Sequence, residues 1–191
     1  MNQRVLAGWA LVVLGGLGLL SAAALAYERF RLFVEPDYVP SCSINPIISC
    51  GSVMTTDQAS VFGFPNPLLG LVAFAVVLTS GVVLIGGARL PRWYWGGLAV
   101  GCGLGLLFVH WLIFQSLYRI GALCPYCMVV WAVQLPLFVV ALRHVGRPGA
   151  ASRSRFGGAL YRWRWNLVAL WYAGLVLLIL ERFWDYWRTL L

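Results

Sequence analysis

The sequence predicts an all-α membrane protein with five transmembrane helices. Of its 191 residues, 61% are hydrophobic and only 10% are charged, and the mean hydropathy is +0.83. These values exclude a soluble globular domain and a disordered chain. Five intervals without a charged side chain match or approach the roughly 20 residues that cross a bilayer, namely 5–27, 58–88, 93–118, 120–142 and 165–180.

We expect the first helix to cover about residues 5–27 and to remain uncleaved. Its basic start and the Ala24-Leu25-Ala26 sequence imitate a secretory signal peptide. The apolar run, however, exceeds the roughly 7–15 residues that form the core of a signal peptide.

The segment 28–64 is predicted to lie outside the membrane, because it is rich in turn-forming residues. Within it, residues 52–62 mix apolar and polar side chains, which is typical of a short interfacial helix. Helix 2 follows, with Asn66 as its N-cap and Pro67 as its first helical residue, and it ends near Gly86.

Helices 3 and 4 are joined by a very short turn. Helix 3 is predicted over about 95–118 and helix 4 from Cys124 to about residue 142, with a kink at Pro136. A loop over 143–164, rich in Gly, Ser and Arg, then leads to helix 5. We therefore expect residues 1–191 to form a single integral membrane domain.

The charges predict a cytoplasmic N-terminus. All 14 basic residues are arginine, and in this orientation nine of them fall in the inner segments while all six acids fall outside. That distribution agrees with the positive-inside rule. The basic 143–164 loop is then a contact for anionic lipid. The net charge of +8 does not indicate a nucleic-acid partner, because the arginines follow the membrane topology.

Four of the five cysteines map to the outer side of the membrane, where disulfides persist. Cys42 and Cys50 lie in the outer segment, and Cys124 and Cys127 begin helix 4. Cys102 lies among glycines within helix 3 and is interpreted as a small packing residue.

The sequence Cys124-Pro125-Tyr126-Cys127 indicates a redox dithiol. Cysteines three apart share one helix face, and a helix N-terminus stabilises a thiolate. One alternative is a non-enzymatic membrane scaffold with two structural disulfides, Cys42–Cys50 and Cys124–Cys127. A disulfide across so small a loop as the second would stabilise the fold little. We expect no metal site, because Cys42-x7-Cys50 is not a usual ligand spacing and no histidine lies nearby.

Two cysteine pairs on one side of the membrane are suited to a relay. A pair in a polar loop meets a soluble protein dithiol, whereas a pair at the membrane edge meets a lipid-soluble oxidant. Thiolate attack through mixed disulfides passes electrons from one pair to the other.

Three segments resemble the vitamin K epoxide reductase family, most closely its bacterial members. They are residues 42–53 (CSINPIISCGSV), 61–67 (VFGFPNP) and 124–127 (CPYC), in the family order. The resemblance implies a four-helix bundle around a quinone, with an additional fifth helix. Many bacterial members carry a fused thioredoxin-like domain. We expect no such domain after helix 5, so the resemblance implies a separate thioredoxin-fold, DsbA-like partner.

The resemblance also implies a role for each outer cysteine. Cys127 would react with the quinone, Cys124 would exchange with Cys50, and Cys42 would exchange with the external partner. The implied activity is a quinone-dependent oxidation of that partner, which drives disulfide formation outside the bacterial cell membrane. Reduction of vitamin K epoxide or quinone for quinol supply is the alternative within the family.

Three further residues are candidates for quinone contact. Asn66 matches the family asparagine that hydrogen-bonds a quinone carbonyl and would stabilise the charge developing there, although an N-cap role alone explains an Asn before Pro. Trp131 follows Cys127 by four residues, at a position where animal members often have Tyr, and it is alternatively a core or interfacial aromatic. Met54 follows Cys50 by four and would line the same pocket. Menaquinone or ubiquinone is the implied electron acceptor.

Overall fold

The computed structural model describes residues 3–35, 37–145 and 155–188, with the side chains of 155–161 excepted. Within these residues the helices are α1 (Gln3–Val34), α2 (Cys50–Met54), α3 (Asn66–Ile85), α4 (Arg92–Phe114), α5 (Pro125–Val145), α6 (Arg155–Arg182) and α7 (Trp184–Trp187). Five of them are long and apolar enough to cross a membrane. This confirms the predicted all-α membrane fold.

Helices α1, α3, α4 and α5 form the bundle that carries the site. Helix α1 packs against α3 and α5, and α4 packs against α5. The α1–α3 contact is very close, since a Cβ atom on Gly81 would lie 2.8 Å from the carbonyl oxygen of Gly8. Small residues at such crossings let two helix backbones approach within a membrane. The pair α1–α3 is thereby fixed as one wall of the bundle.

Helix α6 attaches to the outside of this bundle through polar contacts. Trp171 Nε1 donates to His110 Nε2 of α4 at 2.9 Å, and His110 Nδ1 lies 2.8 Å from the carbonyl oxygen of Leu106. Both ring nitrogens of His110 are therefore hydrogen-bonded, with the proton on Nδ1. Nearer the end of α6, Arg182 Nε donates to the carbonyl oxygen of Leu117 at 2.7 Å.

Helix α1 is longer than predicted. It continues past residue 27 to Val34, so the first part of the 28–64 segment is helical rather than irregular. Charged side chains in this extension support the helix, because Arg31 and Glu35 form an i,i+4 ion pair at 2.9 Å. The absence of charge therefore marked the membrane span but not the end of the helix.

The prediction for residues 52–62 is wrong in detail. Instead of one interfacial helix, the chain forms α2 and then a short 3₁₀ turn, Asp57–Ser60. The predicted N-cap of helix 2 is also shifted, since Asn66 is already the first residue of α3 and makes no capping bond to it. Its amide instead bonds to residues of the preceding loop, as described below.

The basic segment 143–164 is only partly a loop. Residues 143–145 end α5, and residues 155–164 belong to α6. The predicted loop between them, 146–154, lies outside the described residues.

Candidate redox site at one end of the bundle

The segment that precedes Cys50 is shaped by the side chain of Asn45. Asn45 Oδ1 accepts hydrogen bonds from the backbone N–H groups of Ile47 and Ile48 at 3.0 and 2.7 Å. Such a side-chain bond to the backbone two and three residues later fixes a turn. The chain leaves this turn in an extended conformation that faces the start of α5.

This extended stretch pairs with the short connection between α4 and α5. Ile48 and Leu123 form an isolated parallel bridge. In it, the Leu123 N–H donates to the Ile47 carbonyl at 2.7 Å, and the Ser49 N–H donates to the Leu123 carbonyl at 2.9 Å. The bridge ends immediately before Cys50 on one side and Cys124 on the other, so it brings these two cysteines together.

Three sulfurs meet at this point. Cys42 and Cys50 are joined in a disulfide, and Cys50 Sγ lies 3.0 Å from Cys124 Sγ. The three Sγ atoms all lie within 4.8 Å of one another, and Cys50 and Cys124 have no exposed surface. With Cys42 and Cys50 bonded to each other, this cluster is arranged for thiol–disulfide exchange.

The fourth sulfur belongs to Cys127, one turn into α5. Cys124 and Cys127 are both free thiols here. A hydrogen bond from the Cys127 side chain lowers the pKa of the Cys124 thiol below its ordinary value, and the backbone N–H groups of Cys127 and Tyr126 act in the same direction. These donors outweigh the burial of Cys124, which acts in the opposite direction. Cys124 is thus favoured as a thiolate in its exchange with Cys50, both as the leaving group and, in the reverse direction, as the attacking group.

A large apolar cavity of about 500 Å³ adjoins both thiols. It lies within the bundle and is lined by residues of α1, α3, α4 and α5, among them Cys124 and Cys127. Asn66, Met54 and Trp131, the three residues predicted to contact a quinone, all line it as well. The fold therefore places these candidates around one cavity next to the dithiol.

The Asn66 amide is held in place by the loop before α3. Its Nδ2 donates to the Gln58 carbonyl at 2.7 Å, and its Oδ1 accepts from the Val61 N–H at 3.2 Å. An asparagine amide has two N–H donors, and within the described residues only one of them is used. The second is free to donate to a molecule in the cavity.

Trp131 is almost completely buried, with 2% of its surface exposed. Its indole Nε1 has no hydrogen-bond partner within the described chain, which is costly for a buried N–H group. Trp131 lies one turn after Cys127 on the same face of α5. Its side chain is a wall of the cavity, and its indole N–H is an unsatisfied buried donor.

Two residues at the site are missing from the sequence predictions. Asn45 was visible only as a turn former, because its role depends on the pairing with Leu123. Gln134 lines the cavity and donates from Nε2 to the Cys102 carbonyl of α4 at 2.9 Å. Its position seven residues after Cys127, on one helix face, is the signal that was available.

Comparison with known proteins identifies the fold and the chemistry. A model of the "Vitamin K epoxide reductase family" matches residues 9–142, which cover most of the first four long helices together with Cys42, Cys50, Cys124 and Cys127. The chain belongs to the vitamin K epoxide reductase family. A curated relative is the thiol-disulfide oxidoreductase LTO1 of Arabidopsis thaliana, which is 30% identical over 107 residues.

That alignment covers 51% of this chain and 27% of the plant protein, so the chain spans about a quarter of its relative's length. Family membership and this relative favour an oxidoreductase that acts on thiols and disulfides, and the five long apolar helices fit a membrane protein. The two comparisons favour such an enzyme over the non-enzymatic scaffold considered from the sequence.

Proposed function

We propose that this protein oxidises a separate thioredoxin-fold protein and passes the electrons to a quinone in the membrane. The observation that carries the proposal is the contact of 3.0 Å between Cys50 Sγ and Cys124 Sγ, next to a cavity that Cys127 also lines. One end of this cluster is a loop disulfide, and the other end faces an apolar space. The arrangement suits the transfer of electrons from a soluble protein to a molecule in the membrane.

The relay begins at the loop disulfide. A thiolate of the partner attacks Cys42 and releases Cys50 as a thiolate, and the second partner thiolate then displaces Cys42. The partner leaves with a disulfide, and Cys42 and Cys50 hold the two electrons as thiols.

The second exchange moves these electrons to the membrane edge. Cys50 attacks Cys124 of a Cys124–Cys127 disulfide, so that Cys127 leaves as a thiolate. Cys42 then attacks Cys50, which restores the Cys42–Cys50 disulfide and releases Cys124. The described state, with Cys42 bonded to Cys50 and two free thiols at the start of α5, corresponds to the product of this step.

The last step regenerates the second disulfide. Cys127 delivers the electrons while Cys124 closes the Cys124–Cys127 bond, and the two thiol protons leave with them. A quinone supplies the chemistry that this step needs, because it accepts two electrons and two protons.

The cavity fits a quinone in volume and in donors. Its volume of about 500 Å³ lies in the usual range of small-molecule sites. The free N–H of Asn66 and the unpartnered Nε1 of Trp131 are suited to the carbonyl oxygens of a quinone, and Met54 adds apolar surface. We assign these residues to quinone contact, with menaquinone or ubiquinone as the acceptor.

We place the redox end on the outer side of a bacterial cell membrane, with the N-terminus in the cytoplasm. The distribution of the arginines supports this orientation. In this arrangement residues 28–64 form the extracytoplasmic part with Cys42 and Cys50, residues 143–164 face the cytoplasm, and residues 1–191 act as one membrane unit. The physiological outcome would be disulfide formation in extracytoplasmic proteins.

Anaerobic electron transfer to a quinone tests the proposal. The chemically reduced wild-type protein is expected to reduce an added short-chain quinone with a stoichiometry of one quinone per dithiol, read by ultraviolet absorbance. Cys127→Ser is expected to abolish this reaction, whereas Cys42→Ser, a control that leaves Cys124 and Cys127 in place, is expected to retain it with one quinone per protein. Normal quinone reduction by Cys127→Ser would refute the assignment of Cys127.

The contact between Asn66 and the quinone is tested by Asn66→Asp. This change keeps the oxygen that accepts from the Val61 N–H but removes both N–H donors. We expect about a tenfold or greater loss in quinone reduction, the order of one hydrogen bond to developing charge. Thiol–disulfide exchange between Cys50 and Cys124 should persist, since it does not need the cavity. Unchanged quinone kinetics would remove Asn66 from the site.

A further inference from the structure

The Glu28 carboxyl is buried beside the sulfur cluster. Only 5% of this residue is exposed, although it lies near the outer end of α1. Leu25 and Leu32, about one turn to either side, pack against the cluster that contains Cys42, Cys50 and Cys124. A buried acid is uncommon unless a specific partner offsets its desolvation. The partner of Glu28 therefore indicates what this residue does.

That partner lies in the turn that carries Cys42. Ser41 Oγ donates to Glu28 Oε1 at 2.5 Å. The Ser43 N–H donates to the Pro40 carbonyl at 2.9 Å, so residues 40–43 form a β-turn with Ser41 and Cys42 as its two central residues. Because these two residues share one tight turn, a bond that fixes Ser41 also fixes Cys42.

A second loop residue faces the same carboxyl. Hydrogen bonding to Glu28, followed by burial, raises the pKa of the Tyr38 phenol above its ordinary value. The guanidinium of Arg31 lies 4.4 Å from the centre of the Tyr38 ring, and Arg31 also pairs with Glu35 at 2.9 Å. Arg29 donates instead to the Met54 carbonyl, on α2. The end of α1 thus holds the loop at several points, and Glu28 is the buried one.

Cys42 is too buried to react with a partner protein unless its turn moves. This sulfur must meet an external thiol if the proposed relay is correct, yet only 6% of Cys42 is exposed. A large partner protein reaches it only when the 40–43 turn moves away from α1. Ser41, by contrast, lies on the exposed side of the turn, where an incoming protein first makes contact.

Building on the proposed relay, we propose that Glu28 is a positioning residue that latches the turn carrying Cys42. The bond from Ser41 to Glu28 holds Cys42 buried beside Cys50 while electrons pass inward, and its opening admits the partner. The latch separates two events at one sulfur, exchange with the outside and exchange with Cys50. It involves no change in oxidation state of its own.

The rate at which Cys42 is alkylated in the reduced, quinone-free protein tests the latch. A buried thiol reacts in proportion to the population of its open state. Loss of a bond to a buried carboxyl should raise that population about tenfold or more. We expect this acceleration at Cys42, followed by peptide mass spectrometry with iodoacetamide, in both Glu28→Ala and Ser41→Ala.

Two further variants separate latching from simple stabilisation. Glu28→Gln keeps an acceptor oxygen for Ser41 and is expected to restore most of the protection of Cys42. Asp57→Asn removes an exposed acid away from the 40–43 turn and is expected to leave the rate at wild-type level. A residue that only stabilises the fold would lower the melting temperature and raise the reactivity of Cys42 and Cys102 together. Selective acceleration at Cys42 is therefore the decisive result.

Equal alkylation of Cys42 in the wild type and in Ser41→Ala would overturn the latch. Ser41→Ala decides the question even if Glu28→Ala fails to fold, because it removes the same bond from an exposed loop position. The measurement needs neither quinone nor partner. If the wild-type protein failed to reduce quinone, the relay would be refuted, whereas the alkylation of Cys42 would still decide whether the latch exists.

Discussion

The pairing of Ile48 with Leu123 makes a quantitative prediction about Asn45. Asn45→Ala removes the oxygen that accepts two backbone N–H groups, from Ile47 at 3.0 Å and from Ile48 at 2.7 Å. Each such bond contributes about 0.5–1.5 kcal/mol net. Together they amount to about 1–3 kcal/mol, which corresponds to roughly a 5- to 150-fold change in an equilibrium. We expect the docked population of this segment to fall by such a factor.

The assay isolates the exchange between Cys50 and Cys124. In a Cys127→Ala background, Cys124 attacks the Cys42–Cys50 disulfide and stops at the Cys50–Cys124 bond, while a maleimide captures the released Cys42. Non-reducing peptide mapping then follows the rate of crosslink formation. This rate reports how often Cys50 and Cys124 lie in contact.

Addition of Asn45→Ala to this background should slow the crosslink about fivefold or more. Asn45→Asp is the matched control, because it keeps the accepting oxygen, and its rate should stay within about twofold of the parent. Equal rates for Asn45→Ala and the parent would show that the turn does not position Cys50, and the explanation of the 3.0 Å contact by the bridge would fail.

Two other predictions concern the electrostatics and the packing of the site. Since a hydrogen bond from Cys127 lowers the pKa of Cys124, exchange should slow as the pH falls through a midpoint below the ordinary thiol value, and Cys127→Ala should move that midpoint upward. Cys127→Ser keeps a donor and should move it less; equal pH profiles for the two variants would contradict the assigned cause. Gly105→Ala would place its Cβ atom 2.5 Å from Gln134 Nε2 and so displace this amide from its buried hydrogen bond to the Cys102 carbonyl; we expect a loss of about 1–3 kcal/mol of stability, measured by thermal unfolding. Gly101→Ala, whose Cβ atom would meet nothing within 4 Å, should have almost no effect, and equal losses in both variants would disprove the packing argument.

Sequence patterns predicted the parts of this molecule that depend on local chemistry. Charge-free intervals identified the five helices that, among the described residues, are long and apolar enough to cross a membrane, because lipid excludes charge over a fixed thickness. The CPYC spacing located a dithiol at the start of a helix, because that geometry is local to four residues. The resemblance added the grouping of Asn66, Met54 and Trp131 with Cys127, and the cavity does bring these residues together.

The features that sequence reasoning missed depend on contacts that no helix or strand periodicity specifies. Asn66 does not cap α3, because its amide bonds instead to the backbone of Gln58 and Val61 in the preceding loop. The sequence did not predict the burial of Glu28, because an acidic residue directly after an apolar run is typical of the end of a membrane-spanning helix. The net effect on the pKa of Cys124 was undecided in the sequence, since donors and burial oppose each other and only the fold fixes their balance.

The attachment of α6 connects a helix outside the family match to the redox site. The family match ends at residue 142, so α6 lies outside it. Arg182 of α6 nevertheless donates to the Leu117 carbonyl, which lies in the π-helical segment Gln115–Ile120 that continues α4. That turn leads directly into the connection that carries Leu123. Helix α6 is thus connected to the segment that positions Cys124. A substitution at Arg182 is therefore expected to act on the exchange between Cys50 and Cys124 without touching either cysteine.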